Sequence, residues 1–474
     1  MAEVRKTRTD QEYLSLKKAY EKNRIMKGED DQETLASLDA LADYYDRTGQ
    51  YEEAIELEEE LLTRRNALFG IEDDSAIDTY VRLAGYYAHQ HDFEIALRLA
   101  KHAWKMRAKK YGENDPRTLK TAGRLANVYS SAGLHKEAIR LGKEVLEKRT
   151  ELLGENDHAT IVSTDNLGTY YADAGDYETA ITYGKDALKR YSAIQDSPRR
   201  ILACADRLSG YYTNLKRYDD AVAVEKEVLA QMRELQGENH PDTITVLNNL
   251  AHAYARSYDA NRAVMYGLEA YEKARSYYGE KHIETLKASS NLARYYAKAK
   301  QFRTAVKLDH KNLAMAAEFY GDLAPETIAI ELSLADDLFG NKEYEEAVRE
   351  GEHVVSLLRE SLGFTDPTTL AAVDRLADYY EALDNNEEVI SLRSYVFEKR
   401  SAVLGEDHRE TLITGCRLIT ALMKDQLLEQ ALDLGNQILV PVRRTFGRVN
   451  PVTLQLMQDL KEGLRIYDGK TEGE

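Results

Sequence analysis

Residues 166–188 read NLGTYYADAGDYETAITYGKDAL. In this stretch a leucine is followed by a small residue, two adjacent tyrosines, a short polar turn, a third tyrosine and an alanine. Apolar residues recur at helical spacing on both sides of the turn DAGD, and this spacing is typical of two amphipathic helices. The stretch therefore predicts a helix-turn-helix unit.

The same pattern recurs along the whole chain of 474 residues, and a glycine marks the end of almost every unit. These glycines are Gly28, Gly70, Gly112, Gly154, Gly237, Gly279, Gly321, Gly363, Gly405 and Gly447. Their spacing is regular except between Gly154 and Gly237, where two units fit if Asp196 stands at the glycine position and one residue is deleted before Leu208. A leucine follows at a constant distance from each glycine. A fixed period of about 40 residues indicates a repeat architecture.

Each unit carries signals for the start and the end of its helices. Five units have a proline just after the glycine, and proline is well tolerated at the first position of a helix. They are Pro116, Pro241, Pro325, Pro367 and Pro451. Asp115, Asp366 and Asn450 precede three of these prolines and are expected to cap the helix. The next glycine is expected to close the second helix with a left-handed backbone.

Small residues stand at two equivalent sites of the repeat, one directly after the leucine and one in the second helix. Small side chains at facing sites let two helices approach to the low end of about 8–10 Å, and a large ring must fill the space beside the contact. We expect the second tyrosine of each pair, such as Tyr45 and Tyr380, to pack in the core. The first tyrosine, such as Tyr44 and Tyr379, would then be available to a ligand.

The order of leucine, small residue, tyrosine, turn, aromatic residue and alanine resembles the tetratricopeptide repeat. The 42-residue variant, with LGENDH at 153–158 and GENHPDT at 237–243, looks like the repeats of kinesin light chains and related arrays. The resemblance covers residues 10–466 and implies an all-α solenoid, a right-handed superhelix whose first helices line a concave groove. About 27 residues precede Gly28, too few for the N-terminal coiled coil of kinesin light chains, so a motor-adaptor role is not expected.

The period predicts the following organisation. An N-terminal capping helix lies in residues 1–27, ten repeats of 42 residues occupy 28–446, a C-terminal capping helix spans 447–466, and residues 467–474 form a disordered tail. Single helices at both ends would cover the apolar ends of the solenoid.

Composition narrows the classes of partner. The formal net charge is −18, with 43% hydrophobic and 31% charged residues. A negative field of this size repels phosphate backbones, so we expect neither nucleic acid nor anionic membrane as a partner. The N-terminus has no apolar segment typical of a signal peptide, and the two cysteines lack a CxxC context. We expect a cytoplasmic protein; the oligomeric state is left open.

One row of groove positions is chemically distinctive, because arginine and asparagine recur just before the conserved leucine. Asparagine can bond both backbone groups of an extended peptide, and arginine can hold a carboxylate or phosphate with two parallel bonds. With two further residues one helical turn on, the candidate peptide-binding residues are Arg82, Arg124, Asn127, Asn166, Arg207, Asn249, Asn291, Arg294, Arg375 and Arg417. The alternative is a solvated groove wall in which the arginines pair with acids of neighbouring repeats.

The sequence carries none of the common catalytic or metal-ligating motifs: GxSxG, HExxH and CxxC are absent. We therefore predict a non-enzymatic protein without cofactor or metal. The favoured function is a scaffold that captures a peptide or protein segment in its groove. Two alternatives stay open, a peptide-gated regulatory sensor and an adaptor subunit that controls a separate effector enzyme.

Overall fold

The alternation of first and second helices is present throughout the computed structural model, which describes the backbone of residues 2–471 and the side chains of residues 12–467. Within these residues the chain forms 22 α-helices and no strand. They are α1 (Ala2–Lys27), α2 (Gln32–Arg47), α3 (Tyr51–Phe69), α4 (Asp74–His89), α5 (Phe93–Tyr111), α6 (Pro116–Ser131), α7 (His135–Leu153), α8 (His158–Asp173), α9 (Tyr177–Ala193), α10 (Pro198–Asn214), α11 (Tyr218–Gln236), α12 (Pro241–Arg256), α13 (Ala260–Tyr278), α14 (Ile283–Lys298), α15 (Phe302–Tyr320), α16 (Pro325–Gly340), α17 (Tyr344–Ser361), α18 (Pro367–Ala382), α19 (Asn386–Leu404), α20 (Arg409–Lys424), α21 (Leu428–Phe446) and α22 (Pro451–Thr471).

The chain divides into two units, Met1–Tyr277 and Tyr278–Glu474. Within each unit a helix packs mainly on the helices next to it in sequence. First helices also contact the first helix of the next repeat, as in α4 with α6 and α6 with α8 of unit 1, and α14 with α16 of unit 2. Such short-range packing is the hallmark of a solenoid, and it confirms the predicted all-α architecture.

The predicted helix signals act as expected. The side chains of Asp115, Asp366 and Asn450 accept hydrogen bonds from backbone N–H groups two residues on, at 2.9, 2.7 and 2.9 Å. These bonds satisfy donors that the first helical turn leaves without an intrahelical partner. Gly154, after α7, has a φ of 86°, a backbone that side-chain-bearing residues rarely adopt.

The small residues do allow close helix contacts. The residue after the leucine and the alanine of the second helix are both almost completely buried, as in Ala42 and Ala54 of one repeat and Ala126 and Ala138 of another. Large apolar side chains surround them, with Leu125 and Leu167 each no more than 2% exposed. The first and second helices of a repeat therefore meet at these small side chains.

The tyrosine pairs pack differently from the prediction. In five pairs the first ring is buried and the second is only half-buried, as Tyr170 and Tyr171 illustrate. The first tyrosines concerned are Tyr44, Tyr86, Tyr170, Tyr295 and Tyr379. The expectation that the first tyrosine is available to a ligand is therefore wrong for these pairs. The second rings, such as Tyr171 and Tyr380, do pack against the core but stay half-buried. The rings of Tyr170 and Tyr379 point toward the second helix of the preceding repeat, where each meets a glycine.

Glycines within the second helices make room for these rings. A Cβ atom built on Gly142 would lie 2.9 Å from Tyr170, and one on Gly351 would lie 3.1 Å from Tyr379. Glycine in a helix interior costs about 1 kcal/mol relative to alanine. The ring that it admits buries a large apolar surface between successive repeats and offsets this cost.

This complementarity predicts opposite effects for two glycine-to-alanine changes. Gly85→Ala should stabilise unit 1 by about 0.5–1 kcal/mol through helix propensity, since nothing lies within 4 Å of its added Cβ. Gly142→Ala should destabilise it, because the Tyr170 ring must move. Urea denaturation followed by circular dichroism measures both, and a stabilised Gly142→Ala variant would contradict the packing.

The C-terminal helix is longer than the sequence pattern indicates. Helix α1 (Ala2–Lys27) lies within the predicted residues 1–27, whereas α22 continues past Ile466 as far as Thr471. Helical backbone therefore replaces the first part of the predicted disordered tail, and residues 472–474 lie outside the described part of the chain. None of the described helices is apolar over a length that would cross a bilayer.

Candidate functional site

Two adjoining cavities lie along the first helices of unit 1. The first, of about 670 Å³, is bordered by α2, α4, α5 and α6. The second, of about 630 Å³, is bordered by α6, α7, α8 and the start of α10. Lys120, Arg124 and Asn127 of α6 line both cavities. Together the two cavities form a trough across successive first helices, which we call the unit 1 trough.

The first cavity has walls of mixed charge. Asp43, Asp46 and Asp78 contribute carboxylates, and Arg82 and Arg107 contribute guanidinium groups. Arg107 is buried and donates to Asp78 at 2.7 Å. This pairing holds Arg107 and Asp78 in one arrangement and leaves little of their charge available to a ligand.

Arg82, a predicted groove residue, is held by two acids of the preceding repeat. Its Nε donates to Oε1 of Glu58 at 2.6 Å, and its Nη2 donates to Oδ1 of Asp39 at 2.6 Å. Glu58 is fully buried, and this burial raises its pKa to about 7 although the Arg82 guanidinium opposes the shift. Arg82 therefore neutralises a buried carboxyl group and has a structural role.

A row of buried arginines in the second helices was not predicted from the sequence. Arg65, Arg107, Arg149 and Arg400 occupy equivalent positions and are each at most 8% exposed. Each donates to a hydroxyl group on the next first helix: Thr79, Thr121, Ser163 and Thr414, at 2.6–3.2 Å. Their recurrence at the repeat period is a signal that was present in the sequence.

The second cavity is cationic. Arg149, Arg124, Lys120, Arg200 and His158 line it, and no acidic side chain is among the described residues of its wall. Arg200 and His158 both approach Asp196, at 3.1 and 3.3 Å. Arg149 has no such acid: its Nη1 donates to the carbonyl of Ala159 at 2.9 Å and to Ser163 at 2.8 Å. Burial lowers the pKa of Arg149.

Most of the predicted groove residues are bound within the protein. Arg207 pairs with Asp165, Arg375 with Asp336 at 2.8 Å, and Arg417 with Asp378 at 3.4 Å. Asn249 donates to Asp206 at 3.2 Å, Arg294 donates to Asn291, and Asn127 accepts from Tyr170. At Arg207, Arg375 and Arg417 the alternative of arginines paired with acids of the neighbouring repeat describes the wall.

Arg124 and Asn166 differ from the other members of the row. Arg124 is exposed, Asn166 is half-buried, and both line the second cavity. Neither side chain has a hydrogen bond or an ion pair with another described residue. The structure thus brings three of the ten candidates, Arg124, Asn127 and Asn166, to one cavity with Lys120 and Arg149. Of these three only Asn127 is hydrogen-bonded to another described residue. Arg207, Asn249, Asn291, Arg294, Arg375 and Arg417 do not line either cavity.

Sequence comparison identifies the repeat. Two family models, both described as tetratricopeptide repeat, match this chain. One model matches residues 34–75, and the other matches residues 75–151, 124–193 and 201–276. The chain is a tetratricopeptide repeat protein. The resemblance inferred from the 42-residue period is confirmed, and the tetratricopeptide repeats make the protein an interaction scaffold. A search of curated proteins finds no match.

Several solved structures resemble this tetratricopeptide repeat protein. TPR-like repeats of a kinesin light chain from Podosopora anserina share 21% identity over 43% of this chain and 96% of theirs, with a TM-score of 0.38. The apo form of RapI shares 14% sequence identity with this chain. The match covers 78% of this chain and 98% of RapI, with a TM-score of 0.49. The apo form of the quorum sensor NprR from B. thuringiensis shares 15% sequence identity with this chain. The match covers 80% of this chain and 99% of NprR, with a TM-score of 0.45.

Proposed function

We propose that the protein is a non-catalytic scaffold that captures an extended peptide segment in the unit 1 trough. The observation that carries the proposal is the contrast within the groove row. Arg124 and Asn166 reach the trough without an internal partner among the described residues, whereas their counterparts are bound to acids of the protein itself. Polar side chains that are not engaged internally can exchange water for a ligand with little loss of internal bonding.

The dimensions of the trough suit an extended chain. Packed helices lie about 8–10 Å apart, and an extended peptide advances about 3.3 Å per residue. Each repeat therefore meets about three peptide residues. The amide of Asn166 can donate to a carbonyl and accept from an N–H group of such a peptide, which fixes its register. Arg124 supplies a cation one repeat away.

A peptide selection tests this function. Random twelve-residue peptides displayed on phage are selected against the full chain, and an enriched peptide is synthesised with a fluorescent label. We expect the doubly substituted Arg124→Ala/Asn166→Ala variant to bind this peptide at least tenfold more weakly than the unaltered protein in fluorescence anisotropy. Two lost contacts of about 1 kcal/mol or more account for that factor.

Arg140→Ala provides the matched control. Arg140 lies on α7, is exposed, and pairs only with Glu144 one helical turn away among the described residues. Its replacement removes the same charge from the surface outside the trough and should leave the affinity unchanged. Failure to enrich any peptide, or an equal loss of affinity in Arg140→Ala and the trough variant, would refute capture in the trough.

A further inference from the structure

Three of the four arginines at the position of Arg149 in the repeat have a carboxylate partner on a first helix. Arg65 binds Asp39 and Arg400 binds Asp374, and in both pairs the acid precedes the arginine by 26 residues. Arg107 binds Asp78, which precedes it by 29 residues. The repeat thus has two positions from which an acid can reach this arginine.

The repeat that contains Arg149 has lost both acids. The residue 26 positions before Arg149 is Gly123, and the residue 29 positions before it is Lys120. Arg149, which is 8% exposed, therefore has a glycine and a lysine at the two positions from which aspartate binds its counterparts. Asp157 acts on Arg149 electrostatically but forms no ion pair with it among the described residues, and its carboxylate accepts a hydrogen bond from the N–H of Ala159 at 2.8 Å.

Arg124, on the other wall of the same cavity, has lost its acids as well. Its counterpart Arg82 binds Glu58 and Asp39, which precede Arg82 by 24 and 43 residues. The residues at those distances before Arg124 are Ala100 and Val81. The acids of both arginines are therefore absent: Gly123 and Lys120 of α6 stand at the positions that would serve Arg149, and Val81 and Ala100 of the preceding repeat at those that would serve Arg124.

The space that the missing aspartate would occupy is open. Gly123 lies in the middle of α6 and lines the second cavity, and a Cβ atom built on it has no neighbour within 4 Å. Its backbone is helical, so no special conformation accounts for a glycine there. Arg149, Arg124 and Lys120 all line the cavity into which this position opens.

We propose that the second cavity is a carboxylate-binding site in which a carboxylate of the ligand takes the place of the aspartate missing at position 123. Arg149 would bind this carboxylate, as Arg400 binds Asp374 at 3.2 Å, and Arg124 and Lys120 would add the surrounding positive charge. This site would specify the chemistry of the captured peptide. It rests on the proposed function in so far as the carboxylate belongs to that peptide. The carboxylate could belong to an acidic side chain or to a chain terminus.

Restoring the internal acid tests the site without a ligand. Gly123→Asp should raise the thermal midpoint of unfolding above that of Gly123→Asn, since both side chains have the same size and remove the same glycine but only aspartate offers a carboxylate to Arg149. In a background that carries Arg149→Met the difference between the two variants should shrink to the small contribution of Lys120, one helical turn before position 123, and of Arg124. Equal midpoints with Arg149 present would overturn the proposal.

A titration with a bare carboxylate tests binding directly. The arginine Nε–Hε signals are followed by nuclear magnetic resonance while sodium acetate replaces sodium chloride at constant ionic strength. We expect a saturable displacement of the Arg149 signal in the unaltered protein and in Gly123→Asn, and none in Gly123→Asp. Separate titrations with N-acetylglycine, which has a terminal carboxylate, and with the α-amide of N-acetylaspartate, which has only a side-chain carboxylate, distinguish the two kinds of carboxylate.

The outcomes separate this proposal from the proposed function. If acetate binds but the peptide selection fails, the carboxylate site is supported and peptide capture is refuted. Two results together would refute the carboxylate site but not peptide capture. In that case peptides without acidic groups bind Gly123→Asp as tightly as the unaltered protein, and acetate does not displace the Arg149 signal.

Discussion

Replacing Arg82 with alanine is expected to destabilise unit 1 by about 3 kcal/mol, because the change leaves the carboxyl group of Glu58 buried without its guanidinium partner. Asp39 keeps Arg65 as a partner, so the loss falls mainly on Glu58. Urea denaturation followed by circular dichroism measures the effect. Hydrogen exchange of α3 and α4 shows whether it is local to this repeat, as expected of a solenoid.

The pH dependence of this variant has a definite sign. The folded-state pKa of Glu58, about 7, lies above its ordinary value, so Glu58 costs the folded state stability as pH rises toward 7. Without Arg82 the pKa rises further, so the destabilisation should be larger at pH 9 than at pH 6. Adding Glu58→Gln should recover most of the loss. A variant as stable as Arg140→Ala at both pH values would contradict the role of Arg82.

Replacing Asp337 with asparagine is expected to stabilise unit 2 at pH 8 by about 2 kcal/mol. Asp337 and Asp309 are almost fully buried and lie side by side between α16 and α15. Burial, with the neighbouring Asp309, raises the pKa of Asp337 to about 8, and burial raises that of Asp309 to about 6. Their Oδ2 atoms have no donor among the described residues, as expected when two carboxyl groups share a proton.

The sign follows from the raised pKa values. Between about pH 4 and pH 8 the folded chain binds more protons than the unfolded chain, so the stability contribution of the pair is present at low pH and is lost as pH rises through these pKa values. Asparagine removes one titrating group and donates to Asp309 at every pH. The variant should therefore show a flatter dependence of unfolding free energy on pH between 5 and 9.

A double-mutant cycle with Asp309→Asn provides the control for this pair. Either single change removes the repulsion between the carboxylates, so the double variant should gain less than the sum of the two single gains. Additive effects, or an unchanged pH dependence in Asp337→Asn, would show that the two carboxyl groups do not share a proton.

The fold followed from the sequence because its signals are repeated and local. Each unit carries its own cap, turn and small residues, and a period repeated along the chain averages out the exceptions. The first tyrosines of the pairs were assigned wrongly because helical spacing alone does not say which neighbouring helix a ring meets. The glycines opposite Tyr170 and Tyr379, Gly142 and Gly351, hold that information, but they lie in the preceding repeat.

The site was predicted only in part. The groove row was found from its position, and Arg124 and Asn166 do line a cavity. Arg82 is bound to Glu58 and Arg375 to Asp336 through contacts between repeats. Sequence spacing allows such ion pairs to be proposed but does not establish them. Arg149 escaped attention because an arginine in a second helix is ordinarily exposed, and its burial is a property of the packed array.

The central claim is that Arg124 and Arg149 present cations to a ligand because the acids that neutralise their counterparts are absent. The most direct test is the affinity of the selected peptide for the unaltered protein, Gly123→Asp and Gly123→Asn, measured side by side by fluorescence anisotropy. The account predicts at least a tenfold loss in Gly123→Asp and less than a twofold change in Gly123→Asn. Equal affinity for all three proteins would contradict it.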